Sequence, residues 1–304
     1  MHLILPLLLA LPACRHAPPT AAPEAAPPSW EAPLGHDHPW LGRIWSEAEG
    51  RWIDRETLLS ALDGAEVVLL GEVHDHPDHH RLRAEVIRAL GTPEHAVVFE
   101  QLDTAQEVEA ADPAELAAVS GWAETGWPDF ALYAPLFEAV YEVGAQVVAG
   151  HPTRAQVRQV ATEGLDALPP EVTADLPLRP LPDPLREDLV AEIVAGHCHM
   201  FGPERADPLV AAQTFKDAHM ARAIAEAGPP AVLIAGNGHL RPDRGVPFYL
   251  DPASTTVAFL EVRDETPEGP PEVGGAADYV WFTARRHDED PCERYREQLE
   301  GMAP

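Results

Sequence analysis

The sequence predicts a single α/β domain in which a central, mostly parallel (mixed) sheet is flanked by helices. Three observations predict it. Apolar runs of strand length, Val67–Leu70, Ala96–Phe99 and Val147–Gly150, alternate with segments of helical period, the order that builds right-handed crossovers between parallel strands. Several of these runs end in, or run directly into, a histidine or a glutamate, and in open α/β sheets ligands bind beyond the carboxyl ends of parallel strands. A chain of 304 residues is also long enough to bury one full core.

Taken in order, Leu3 to Leu11 is a short apolar stretch, well below the roughly 18 residues that span a bilayer. From His16 to about Trp30 the chain is rich in Pro and Ala without apolar period, which reads as a semi-extended tether. The organisation expected is residues 15–35 as a tether and 36–304 as the domain, and the resemblance of Leu11 to Cys14 to a bacterial lipobox implies residues 1–14 as a leader. Val67–Leu70 opens the parallel set. Pro77 sits well in the first turn of a helix whose Leu82, Val86 and Leu90 recur every four positions, with Asp78 favoured by the N-terminal dipole. Ala96–Phe99 follows, then a helix marked by Leu132, Leu136 and Val140, then the strand around Val147-Val148. Pro169 to Pro184 reads as a surface loop or lid. On the long helical stretch from about Ala206 to Ala227, Gln213, Asp217, Met220 and Ile224 share one face, either supporting a site or partly exposed. Val232–Ala235, Thr256–Val262 and Tyr279–Thr283 close the sheet.

The net charge is −29 and Lys216 is the one lysine, so the phosphate-neutralising surface that nucleic acid requires is missing. The segment Leu11-Pro12-Ala13-Cys14 resembles the lipobox of bacterial lipoproteins. That resemblance implies a signal peptide ending at Cys14, acylation of Cys14 and a lipid-anchored protein of the cell envelope. Arg15 in place of the aspartate that retains such proteins at the inner membrane implies the outer membrane, facing the periplasm. An ordinary secretory peptide, or a buried Cys14 behind a misassigned start, are the other readings. Cys198 and Cys292 remain, as a disulfide in an oxidising compartment or as two free thiols.

The residues that carry chemistry lie at the strand ends. Gly71-Glu72-Val73-His74 follows the first run, Glu100 ends the second, His151 the third, and Gly236-Asn237-Gly238-His239 follows the fourth. Two histidines with one carboxylate leave coordination positions open on zinc, manganese or ferrous iron, which makes His74, Glu100 and His239 a candidate metal set. Glu72, two residues before His74 on extended chain, faces the same side as a further ligand, an orienting group or a general base. The catalytic candidates are thus Glu72, His74, Glu100 and His239. His76, His79 and His80 stand among charged residues at a helix entrance, where solvation is the default. His197 and His199 flank Cys198 at a helix end. Arg241 occupies the third glycine position of a dinucleotide finger, and the nucleophile elbow and phosphate loop are absent.

Leu70 to Asp75, Phe99-Glu100, Ala212-Gln213 through Asp217 and Met220, Ala235 to His239, and Asp278 to Thr283 with Asp290-Pro291-Cys292 together resemble the ChaN family of haem-binding lipoproteins. Tiki proteases and erythromycin esterases share the wider superfamily and its Gly-x-x-His and strand-end glutamate pattern. The resemblance implies an EreA/ChaN-like fold and haem binding in iron uptake, with metal-assisted hydrolysis of an ester or peptide as the alternative. It implies a homodimer around haem with a tyrosine on the iron. Tyr133, beside Trp127 and Phe130, is the candidate ligand, and Arg241 and Arg244 beside His239 are the candidates for the haem propionates. His76 departs from the asparagine common in the family. Without Cys-x-x-Cys-His, any haem is held non-covalently. Glu72 and Glu100 are expected to repel propionates, placing haem apart from the strand-end cluster or at its border.

Overall fold

The computed structural model describes residues 29–91, 93–251, 253–263 and 271–294. The expected leader, Cys14 and the first part of the tether lie outside them. The chain forms an eight-stranded sheet with the strand order β2-β1-β8-β7-β3-β6-β4-β5. A short hairpin, β1 (Ile44–Ser46) and β2 (Arg51–Ile53), adds two antiparallel strands beside β8 (Tyr279–Thr283). Every other neighbouring pair is parallel.

Between the strands run α1 (Arg55–Asp63), β3 (Val67–Leu70), α2 (Pro77–Leu90), β4 (Ala96–Asp103), α3 (Pro113–Val119), α4 (Phe130–Val143) and β5 (Gln146–His151). There follow α5 (Arg154–Glu163), a short α6 (Pro170–Thr173), α7 (Asp183–Gly196), α8 (Asp207–Ala227), β6 (Ala231–Ile234), a short α9 (Val246–Tyr249), β7 (Ser254–Glu261), β8 and α10 (Pro291–Arg294).

Alternation along the strands sorts the core into two faces. Val68, Leu70, Val97, Phe99, Val232 and Ile234 point toward α1, α2 and α4, where Phe99 stacks on Phe137 at 4.5 Å. Val67, Leu69, Val98 and Leu233 point toward α5 and α8. Strands buried on both faces read as unbroken apolar runs, which is why β3 and β6 are so legible in the sequence.

The connection that matters most is β6. It enters between β3 and β4, pairing Val67 to Leu70 with Ala231 to Ile234 on one side and Ala96 to Phe99 with the same residues on the other. The carboxyl ends of three central strands from distant parts of the chain therefore lie side by side.

Several expectations are corrected. The tether does not extend to residue 35: Glu31 and Ala32 donate their backbone N–H groups to Asp78 (3.1 and 2.9 Å), and Leu34 pairs with Arg285. These contacts, with the carbonyl of Ala284 on His76 Nε2 (2.9 Å), cover the entrance of α2, so His76, His79 and His80 are fully buried instead of solvated. The proline-rich stretch is no free loop, for Leu176 is buried with Leu168 against the α8 side. Asp217, Met220 and Ile224 are buried, which settles the inward orientation of that α8 face. Cys198 and Cys292 form a disulfide, with Cα atoms 5.5 Å apart.

Candidate functional site

The loops after β3 and β6 stay extended long enough to continue the ladder, with Asn237 N–H donating to the Glu72 carbonyl at 3.0 Å. Two glycines make this approach possible. A Cβ on Gly71 would lie 2.1 Å from Asn237 Oδ1, and one on Gly236 would lie 3.1 Å from the His74 ring. Asn237 in turn fixes the loop, its amide donating to the Phe259 carbonyl (2.7 Å) and accepting from Phe259 N–H (3.2 Å).

Glu72, His74, Glu100 and His239 meet at this edge, in two carboxylate–imidazole groups. In the first, Glu72 Oε1 contacts His74 Nδ1 at 2.5 Å and accepts from Gln101 Nε2 and the Tyr133 hydroxyl, each at 2.8 Å. The Arg83 guanidinium pairs with Glu72 Oε2 and donates to His80 Nδ1 at 2.5 Å, while His80 Nε2 bonds the His74 carbonyl at 3.0 Å. Burial opposes ionisation of Glu72, but Arg83, His74 and His80 outweigh it and hold its carboxyl at about 2. Burial pushes His80 down to about 3, so it is neutral.

In the second, His239 lies between two acids. Its Nδ1 is 2.5 Å from Asp217 Oδ1 and its Nε2 is 3.0 Å from Glu100 Oε1, while Gly236 N–H donates to Glu100 Oε2 at 2.7 Å. Carboxylates at both nitrogens call for an N–H on each, an imidazolium. Burial works against that charge, yet Glu100 and Asp217 raise His239 to about 9. Gln213 Nε2 stands 3.1 Å from the same ring.

His74 is the member of the cluster open to solvent: 38% of its side chain is exposed, and its ring meets Trp127 edge-on at 4.8 Å. Burial disfavours its charged form, but the bond to Glu72 and the nearby Glu100 raise it above its ordinary value. Its neighbour Val73 is 37% exposed. His151 comes to the rim, with burial lowering it to about 4.

Other expectations fail on geometry. Tyr133 has no exposed surface and its hydroxyl is committed to Glu72, so it is not placed to meet a ligand arriving from solvent. Arg241 is held by Asp243 (2.6 and 3.0 Å), and Arg244 is paired with Glu192, with Asp188 at 3.9 Å, so neither guanidinium is unengaged. Among the described residues no group of three or more His, Cys, Asp and Glu is disposed to hold a metal ion. His74, Glu100 and His239 share the site as partners of carboxylates and imidazoles, not as the expected ligand set, since both His239 nitrogens face acids.

Arg83, Gln101 and His80 were not legible as site residues. The i, i+3 spacing of His80 and Arg83 on α2 was the available signal. A register shift in β4 between Phe99 and Asp103 accompanies the engagement of successive residues, Glu100 and Gln101, in the same cluster.

The model of one protein family, described as haem-binding uptake, Tiki superfamily, ChaN, matches residues 58–250. Among solved structures, ChaN of Campylobacter jejuni, described as binding haem cofacially, superposes with a TM-score of 0.61 at 20% identity over 78% of this chain and 95% of that one. The type III effector HopBA1 gives 0.43 at 12% identity, over 76% and 93%. The first likeness establishes a common fold. No curated protein matches the chain.

Proposed function

The chain belongs to the ChaN family of haem-binding uptake proteins in the Tiki superfamily, and on that premise we propose that it binds haem non-covalently in haem or iron uptake at the bacterial cell envelope. The observation that carries this reading is the family match over residues 58–250, which spans every side chain of the strand-end cluster. Haem requires an accessible axial ligand beside apolar surface. His74 fits that need: its exposed imidazole stands against Trp127 beside the exposed Val73, and Glu72 fixes the ring through Nδ1. Bound haem would supply the iron, and His74 would hold it. The expected repulsion of propionates is reduced, because Arg83 neutralises Glu72 and the His239 imidazolium offsets one of the two charges of Glu100 and Asp217. The same proposal includes a lipid anchor at Cys14, an outer-membrane position facing the periplasm, and a homodimer. Titration of the purified protein with haem, followed at the Soret band, tests the reading. Saturable binding is expected, and a flat titration rejects it. Cys14→Ser tests the anchor, which is wrong if acyl labelling persists.

A specific observation supports hydrolysis of an ester or peptide as the second reading. His74, oriented by buried Glu72 through Nδ1 and open to solvent, has the arrangement of a general base. Esterase or peptidase turnover lost in His74→Ala, together with a flat haem titration, would put this reading first.

A further inference from the structure

We propose that Lys216 is the anion-binding residue of the strand-end site and receives a carboxylate of the ligand. The haem reading supplies only the identity of that acid, a propionate; the anion site stands on the residues themselves.

Glu72 is satisfied by Arg83, and Glu100 and Asp217 share His239. The two arginines on the following loop are neutralised by Asp243 and Glu192. Lys216 alone among these cations has neither an ion pair nor a hydrogen bond among the described residues. It stands on α8 beside Asp217 and three residues after Gln213, both of which reach His239, so the helix brings it to the same edge. Its charge is felt by Glu100 on β4, His151 at the end of β5 and its neighbour Asp217 on α8.

Lys216 is half-buried. An anion arriving beside this unpaired ammonium gains a charge-assisted contact that no side chain of the described residues supplies. The residue type fits the task. This chain has 21 basic residues and one lysine; an arginine here would offer a planar fork to the neighbouring carboxylates, whereas a lysine is a compact charge on a flexible stem, free to turn to a ligand. In a chain of net charge −29, long-range forces repel acids, so a carboxylate ligand needs such a local cation.

The test compares haem with haem dimethyl ester, whose propionates carry no charge. The unmutated protein is expected to bind haem about tenfold more tightly than the diester, the worth of one charge-assisted hydrogen bond. Lys216→Met should abolish that preference while binding the diester as before, and Lys216→Arg should restore it in part. A preference that survives in Lys216→Met overturns the proposal, as does its absence in the unmutated protein. A second measurement does not depend on haem. Reductive methylation with a ¹³C label keeps the charge and gives one side-chain resonance, since there is one lysine. Titration with succinate should shift that resonance saturably. If neither porphyrin binds, the haem reading fails, and the succinate titration decides the Lys216 proposal: a saturable shift upholds it and an unmoved resonance overturns it.

Discussion

At the scale of single residues, the site rests on His239 carrying a proton between two buried acids. That state has a consequence that NMR can read. The His239 ring should titrate with a midpoint of about 9, and in Asp217→Asn the midpoint should fall toward the ordinary 6.5, because one of the two stabilising carboxylates is gone. The same variant should lose about 1–3 kcal/mol of stability, the worth of one hydrogen bond to a charged group, since Glu100 still pairs with His239. A midpoint unmoved by Asp217→Asn would contradict the assignment. The residue scale also shows what sequence reading missed. Tyr133 lies in an aromatic-rich segment, and nothing in that segment discloses that its hydroxyl points inward to Glu72, 61 residues away in the chain. Burial of His76, His79 and His80 was equally hidden, because their cover comes from residues near 31 and 284.

At the scale of elements, strand ends were legible and edges were not. Val67–Leu70 and Tyr279–Thr283 coincide with β3 and β8, since runs buried on both faces carry a strong local signal. The hairpin of β1 and β2 left no such mark: each strand has three residues and the apolar content is confined to Ile44, Trp45, Trp52 and Ile53. The Gly-x-x-His pattern gains its physical meaning from contacts between elements. Gly71 is small because Asn237 crosses it, and Asn237 crosses it to bind β7 at Phe259. Gly71→Ala should therefore destabilise the fold by about 1–3 kcal/mol through loss of the Asn237 bonds or through overpacking. Asn237→Ala should cost a similar amount alone and should relieve much of the Gly71→Ala penalty when combined with it. Penalties that simply add in the double variant, measured by denaturant unfolding, would show that the two positions do not interact.

At the scale of the whole molecule, the two histidine-bearing loops are joined by a closed circuit. Asp75, next to His74, is held by His287 at 3.1 Å; the segment containing His287 leads to Cys292, bonded to Cys198 at the end of α7; and α7 is tied through Glu192 to Arg244, beyond His239. The disulfide closes a separation of 94 residues, and its reduction should lower stability by about 2–4 kcal/mol. An unchanged Tm in excess dithiol would refute that role. The pH profile follows from the buried histidines. His239, raised to about 9, contributes stability that is complete below its unfolded value of 6.5 and is lost as pH rises through 9, up to about 3 kcal/mol. His80 and His151, lowered to about 3 and about 4, bind protons more readily in the unfolded chain, so stability also falls as pH drops below 6.5. Thermal unfolding should thus show greatest stability near pH 6.5, and a Tm that climbs steadily from pH 6 to 10 would contradict the charge assignments.

On the function proposed here, haem is held at this strand-end edge, with His74 as its exposed member. Soret-band titration of the unmutated protein and His74→Ala tests it most directly. Saturable binding by the unmutated protein, with an altered band and weaker binding in His74→Ala, is the predicted result; identical haem spectra and affinities for the two proteins, or no binding by either, would contradict it.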